Sequence, residues 1–280
     1  TNDKSSETIS REFYKLASSF NVSAGNEETY VSIEGLNENF DKSIALFEDL
    51  IRNCKADQAA LDAYKARLKK ARANAKQNKA TIMAGLRSYA QYGTQNPFNN
   101  VLSDAELDAL KAEDLINILH DLFNFKHKVL YYGPKSGDET VASLKPIHKL
   151  PASLKELPKT KTFVQIPTDK NKVLFAHYDM VQAEVFWVRN SDQYNPTLTP
   201  TVSLFNNYFG GGMGSIVFQT IRESKALAYS TYSYFALPSK KSDKDMVMAY
   251  VGTQADKFNE STTAMNELLT TLPKSEQLFE

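Results

Sequence analysis

Arg222 and Tyr229 are the residues whose types and spacing most directly suggest chemistry. A guanidinium is a fixed cation with several donors, and a phenol donates one hydrogen bond and accepts others. Residues 213–224 place Ile216, Val217, Thr220 and Ile221 on one helical face. Residues 229–235 read as a strand of aromatic and β-branched residues. Only a short turn through Lys225 and Ala226 joins the two. A cation near a helix end and a phenol at a strand start are thereby held on rigid supports, an arrangement suited to a substrate carbonyl or oxyanion. Preorganised donors of this kind each lower a barrier by ~3 kcal/mol. A plainer alternative is a structural hydrogen bond, or a salt bridge from Arg222 to Glu223 or Asp245.

Gly210, Gly211 and Gly212 open this stretch. The run GGGMGS has Ser215 where a dinucleotide fingerprint needs its third glycine, and it lacks the G-K-[ST] ending of a phosphate loop. The glycines either form a flexible opening to the helix or let a bound peptide backbone pass close by. A helical zinc site needs two histidines on one face and a glutamate to polarise water. The four histidines, His120, His127, His148 and His177, do not spell H-x-x-E-H, and they read as solvated or core-edge residues. Cys54 stands alone, which excludes an intrachain disulfide and a thiolate metal site.

The residues Arg222, Glu223, Leu227, Ala228, Tyr229 and Ser230 match the pattern RE-x-x-x-LAYS. With the glycines before them, they resemble the C-terminal lobe of the pitrilysin/insulinase family of inverted-motif zinc peptidases, which includes the mitochondrial processing peptidases. The resemblance implies an α+β fold of two related units with mainly antiparallel sheets and helices packed on one face. It implies a non-catalytic half that closes a peptide-binding chamber. Tyr229 would donate to the substrate carbonyl with Arg222 in support, and Gly210, Gly211 and Gly212 would lie beside the substrate. Zinc belongs to the N-terminal half of such a protein, so no metal or cofactor is expected in this chain, and the chain alone is expected to be inactive. The partners implied are that catalytic half and a peptide that adds as a strand to a sheet edge. The alternative is a peptidase-derived scaffold or peptide-binding subunit without proteolytic activity, as in the respiratory-complex core subunits that resemble processing peptidases. An H-x-x-E-H in the upstream half would separate the two.

The supporting elements follow from composition and periodicity. Apolar residues make up 42% of 280, enough for a sizeable core, and Lys+Arg and Asp+Glu both count 33, so no global field favours nucleic acid. No apolar run approaches the ~20 residues of a membrane span. The compartment is left open between bacterial periplasm and cytoplasm. Helices are expected over residues 3–20, around Phe40 to Ile51, over the basic stretch 57–79, over 81–92 and around Phe258 to Leu269. A hairpin turns at Gly25 and Asn26, SDAE at 103–106 is a capping box, and strands are expected at 127–133, 162–167, 172–189 and 245–252. Residues 149–161, with two prolines and no periodicity, read as a linker. It separates a first unit at 1–150, like the family's inactive third domain, from a second at 151–280, like its C-terminal domain. A weak internal repeat relates 16–50 to 222–269. The family unit opens with strands that nothing supplies ahead of residue 9, so the chain reads as clipped at both ends. The stripe of Ile9, Phe13, Leu16 and Phe20 is then expected to lie uncovered and to promote self-association.

Overall fold

The computed structural model describes every residue except Asn2, Asn26, Ser239, Ser275 and 277–280. In chain order the elements are α1 (Ser6–Lys15), β1 (Ser18–Ala24), β2 (Thr29–Gly35), α2 (Phe40–Asn53), α3 (Gln58–Ala75), α4 (Lys79–Tyr92), α5 (Asp104–Ala109), α6 (Ala112–Asp121) and α7 (Gly137–Leu144). There follow β3 (Gln182–Gln193), α8 (Thr199–Phe209), a π-helix (Phe218–Ser224), β4 (Ser230–Ala236), β5 (Lys244–Gln254) and α9 (Phe258–Thr270). All strand pairs in the sheets are antiparallel, in keeping with the α+β expectation.

The chain forms two compact units, residues 1–71 with 102–162 and residues 72–101 with 163–280. A single cut at 150 would leave α4 in the first unit. Its side chains decide otherwise. Arg87 lies over the Phe186 ring at 4.5 Å, and the Gln91 carbonyl accepts from Asn190 Nδ2 at 3.1 Å. Both targets are on β3, so α4 belongs with the sheet of the second unit.

In the first unit, α1 starts at a Ser5 cap whose Oγ accepts from Thr8 N–H at 3.2 Å. Its apolar stripe is covered only in part: Ile9 and Phe13 are buried with Leu46, Phe47 and Ile51 of α2 and Leu16 packs beside them, whereas Phe20 stays exposed. Phe20 is not helical. It lies on β1, with its ring 5.0 Å from Phe13 and 5.5 Å from Phe47. More uncovered apolar surface lies farther out on the hairpin, where the cross-strand pair Val22 and Val31 is exposed. The hairpin turn includes Asn26, which lies outside the described residues, and Gly25 N–H bonds Glu28 O at 2.9 Å. The basic face of α3 is not wholly solvated. Lys65 is buried, and its ammonium donates to the Asp108 and Leu110 carbonyls at 3.1 and 2.5 Å. It thereby satisfies the free carbonyls at the end of α5, whose start carries the expected box, Glu106 N–H to Ser103 Oγ at 3.2 Å.

The second unit is built on the sheet β3-β5-β4. Alternation along β5 sends Ala249 and Val251 to one face and Met248 and Tyr250 to the other. On the first face Ala249 and Val251 meet Val217, Ile221, Ala264, Met265 and Leu268 in the main core. On the other, the rings of Phe186, Tyr232 and Tyr250 cluster beside Arg87. Burial, with the Glu184 carboxylate nearby, pushes the Tyr250 phenol up to about 12.

The expected strands at 127–133, 162–167 and 172–181 do not form, and β3 begins only at Gln182. A strand is stable only when its backbone groups find a ladder. These segments pair in no sheet among the described residues. Val173 and Phe175 stay 95% and 81% exposed although their composition is that of a strand.

Candidate functional site

The site is assembled where α8, the π-helix and β4 meet. Asn206 of α8 is buried and clamps the outer edge of β4: Phe235 N–H donates to Asn206 Oδ1 at 2.8 Å, and Asn206 Nδ2 donates to Phe235 O at 2.9 Å. Ser233 N–H donates to Gly210 O at 3.2 Å. A Cβ on Gly210 would sit 2.7 Å from the Ser233 carbonyl carbon, and one on Gly211 would sit 2.7 Å from Asn206 O. These two glycines therefore let the chain pass against β4 and α8. Gly212 has nothing within 4 Å of its Cβ position. Ser215 Oγ donates to Gly212 O at 2.6 Å and starts the next helix.

That helix opens at Ile216 rather than 213 and becomes a π-helix over Phe218–Ser224. Lys225 N–H accordingly bonds Thr220 O, five residues back, at 3.1 Å. Val217 and Ile221, both fully buried, anchor its inner side. Arg222 falls on the outer side with its side chain 40% exposed. The Arg222 guanidinium carbon is 4.7 Å from the Phe218 ring centroid and 5.9 Å from that of Tyr229. Glu223 Oε1 lies 3.7 Å from Arg222 Nε. Tyr229 stands one residue ahead of β4, its N–H bonded to Gly252 O at 3.0 Å, and is 80% exposed. Sequence spacing thus brought Arg222 and Tyr229 together as expected. Phe218, whose ring lies closer to the cation than that of Tyr229, went unnoticed. Its spacing of four from Arg222 in a helix was the available signal. Asp245, the other suggested ion partner, is 2% exposed, and its Oδ1 has no hydrogen-bond partner. Burial and the neighbouring Asp192 push its carboxyl up.

The histidines do not fit a zinc site. His120 Nε2 lies 3.1 Å from the Cys54 carbonyl oxygen and 3.7 Å from its thiol, His127 and His148 contact each other through Nε2 at 2.8 Å, and His177 is exposed. Among the described residues no group of three or more His, Cys, Asp or Glu could hold a metal ion. No helix among them is long and apolar enough to cross a membrane.

The second unit thus combines an antiparallel sheet with a glycine turn and an adjacent Arg-Tyr pair. The family model described as Peptidase M16 inactive domain matches residues 128–277, and that of insulinase (peptidase family M16) matches residues 1–105. The chain belongs to the M16, or pitrilysin/insulinase, family. It is 24% identical over 275 residues to the uncharacterized zinc protease YmxG of Bacillus subtilis, covering 98% of this chain and 66% of that one. It is 24% identical over 271 residues to a Helicobacter pylori relative named non-peptidase homolog YmxG, covering 90% and 61%. The chain therefore spans less than two thirds of the length of these curated relatives. Among solved structures, the M16 inactive domain from Pseudomonas fluorescens superposes with a TM-score of 0.67 at 18% identity, covering 99% of this chain and 68% of that one. The periplasmic protease PqqL from Escherichia coli superposes at 0.75 and 17% identity, covering 98% and 30%.

Proposed function

We propose that this chain is the non-catalytic C-terminal portion of a zinc metalloendopeptidase, and that Arg222 and Tyr229 contact the substrate peptide. The observation that carries the reading is the exposed placement of the two side chains beside each other on the π-helix and the start of β4. π-Helical turns are rare and recur at functional sites. Tyr229 donates its phenolic hydrogen to the substrate carbonyl oxygen as charge develops there. Arg222, beside the rings of Phe218 and Tyr229, orients backbone carbonyls through its remaining donors. Gly210 and Gly211 shape the turn that delivers this helix, and Gly212 is the glycine with open space for a peptide. Hydrolysis requires a metal-binding half with an H-x-x-E-H motif, which the sequence of this chain does not contain.

The test is kinetic, on the full-length protein. Tyr229→Phe should lower kcat by about 10²-fold with little change in KM, the mark of an interaction made in the transition state. Arg222→Ala should damage both. An unchanged kcat in a folded Tyr229→Phe variant reduces the tyrosine to a structural role. The second reading, a scaffold or peptide-binding subunit, is favoured by the Helicobacter pylori relative, which is named a non-peptidase homolog. It requires peptide binding with no turnover in the same assay.

A further inference from the structure

The first unit holds a cluster of titratable groups that the peptidase reading does not use. His127 Nε2 and His148 Nε2 lie 2.8 Å apart. Their ring centroids are 5.0 Å apart and the ring planes meet at 83°. The excess of the centroid separation over the nitrogen separation is two ring radii. Both Nε2 atoms therefore lie on the line between the rings and face head-on. Two histidine nitrogens on a tetrahedral zinc would be about 3.3 Å apart, with lone pairs converging off that line. The contact is an N–H···N hydrogen bond, with one Nε2 protonated and the other bare.

The remaining nitrogens fix the proton count. His127 Nδ1 is 2.7 Å from the Phe125 carbonyl oxygen, which can only accept, so Nδ1 carries a hydrogen. His148 Nδ1 is 2.5 Å from Glu48 Oε1, so one proton lies between these atoms whichever of them holds it. Glu48 is buried, and its Oε2 accepts from Arg52 Nε at 3.1 Å. Two neutral rings and an ionised carboxylate would bring two protons to this chain of contacts. The geometry requires three.

We propose that His127, His148 and Glu48 form a single-proton binding site that latches the segment around Phe125 and His127 to α2, and that the latch holds only over a bounded pH range. With the shared proton gone, two bare lone pairs face each other at 2.8 Å. With a further proton bound, two N–H groups and two cations face each other. Either change opens the contact. The groups facing the pair are Glu48 and Arg52 from α2, the edge of the Phe123 ring 5.3 Å from His148, and the Lys149 carbonyl, which takes Arg52 Nη2 at 2.7 Å. The flanking charges are closed on themselves as Lys126 with Glu156 and Lys155 with Asp121. The latched segment runs directly into Val129, Leu130 and Tyr132, all exposed. Lys126 N–H also donates to Lys155 O at 2.9 Å and Lys155 N–H to Asn124 O at 2.7 Å, so proton binding adds to a backbone tether at the start of this apolar segment.

Histidine side-chain 15N spectra of the labelled chain across pH test the proposal. The expected result is that both rings titrate in two coupled steps, with an intermediate in which one proton is shared. His127→Ala should collapse His148 to a single step, and since His127 is exposed the variant should stay folded. Amide exchange at Phe125 and Lys126, whose N–H groups bond Leu122 O and Lys155 O, corrected for its intrinsic pH dependence, should show protection that weakens on both sides of the window in the wild type and is flat in His127→Ala. Independent single-step titration of both rings, with the His148 curve unmoved by His127→Ala, would overturn it. So would a neutral His127 protonated at Nε2 and bare at Nδ1 throughout the range.

Discussion

Replacing Asn206 with alanine should loosen the edge of the second unit's sheet more than any other single change on α8. The side chain makes two short bonds to one residue of β4, at 2.8 and 2.9 Å. Each contributes ~1 kcal/mol net, and an orphaned Phe235 N–H or C=O that water cannot reach adds ~1–3 kcal/mol. Water enters readily at a sheet edge, so the total should fall at ~2–4 kcal/mol. For a unit of this size that lowers Tm by roughly 6–12 °C. Urea denaturation and calorimetry measure the loss, and amide exchange at Phe235 localises it. Asn206→Asp supplies a control, because it keeps the acceptor for Phe235 N–H but sets a carboxylate oxygen against Phe235 O. It should be at least as destabilising as alanine. A loss below ~0.5 kcal/mol for alanine, or wild-type stability for aspartate, would refute the clamp.

Gly210→Ala should cost ~1–3 kcal/mol, because its Cβ meets the backbone of β4 rather than a movable side chain; Gly212→Ala, with open space around it, should cost under ~0.5 kcal/mol by the same denaturation assay. The raised carboxyl of Asp245 gives a pH signature. An acid whose folded-state pKa lies above its unfolded value destabilises the fold when ionised, so stability relative to Asp245→Asn should fall as pH rises through the raised value and recover as pH falls. A difference between the two proteins that does not change from pH 3 to pH 7, measured by calorimetry, would show that the carboxyl is not the cause. Lys65→Met should lower stability by ~1–3 kcal/mol, since two carbonyls at the end of α5 lose their donor; recovery to wild-type stability in the methionine variant would assign the lysine to its aliphatic stem alone.

Local rules made part of this molecule legible. The capping box at Ser103, the C-terminal role of Gly93 at φ 77° and the apolar faces of α2 and α9 depend on neighbours three or four residues away. The order of Arg222, a turn and Tyr229 was readable for the same reason. Partners distant in sequence decided the rest. Residues 172–181 have strand composition but no ladder to join, so propensity had nothing to act on. The shift from α to π at Phe218 changes which carbonyl each N–H reaches without needing a different composition, so periodicity over 213–224 could not reveal it. The bond between His127 and His148 spans twenty-one positions and depends on a buried glutamate one hundred residues before His148. No spacing rule links those three residues.

The π-helix also bears on how relatives should be aligned with this chain. A π turn accommodates one residue more than an α turn between the same two anchors. The core holds Val217 at one end of this segment and Leu227 just beyond the other. A relative with one residue fewer between the glycines and the arginine could close the same span as a regular α-helix and keep both anchors in place. A one-residue gap there therefore says nothing against a shared fold. The interval from Lys225 to Tyr229 has no such slack. It crosses Ala226, which sits at φ 48°, and ends on the Tyr229 bond to β5. Loss of one residue should be tolerated within Phe218–Ser224 and not between Lys225 and Tyr229.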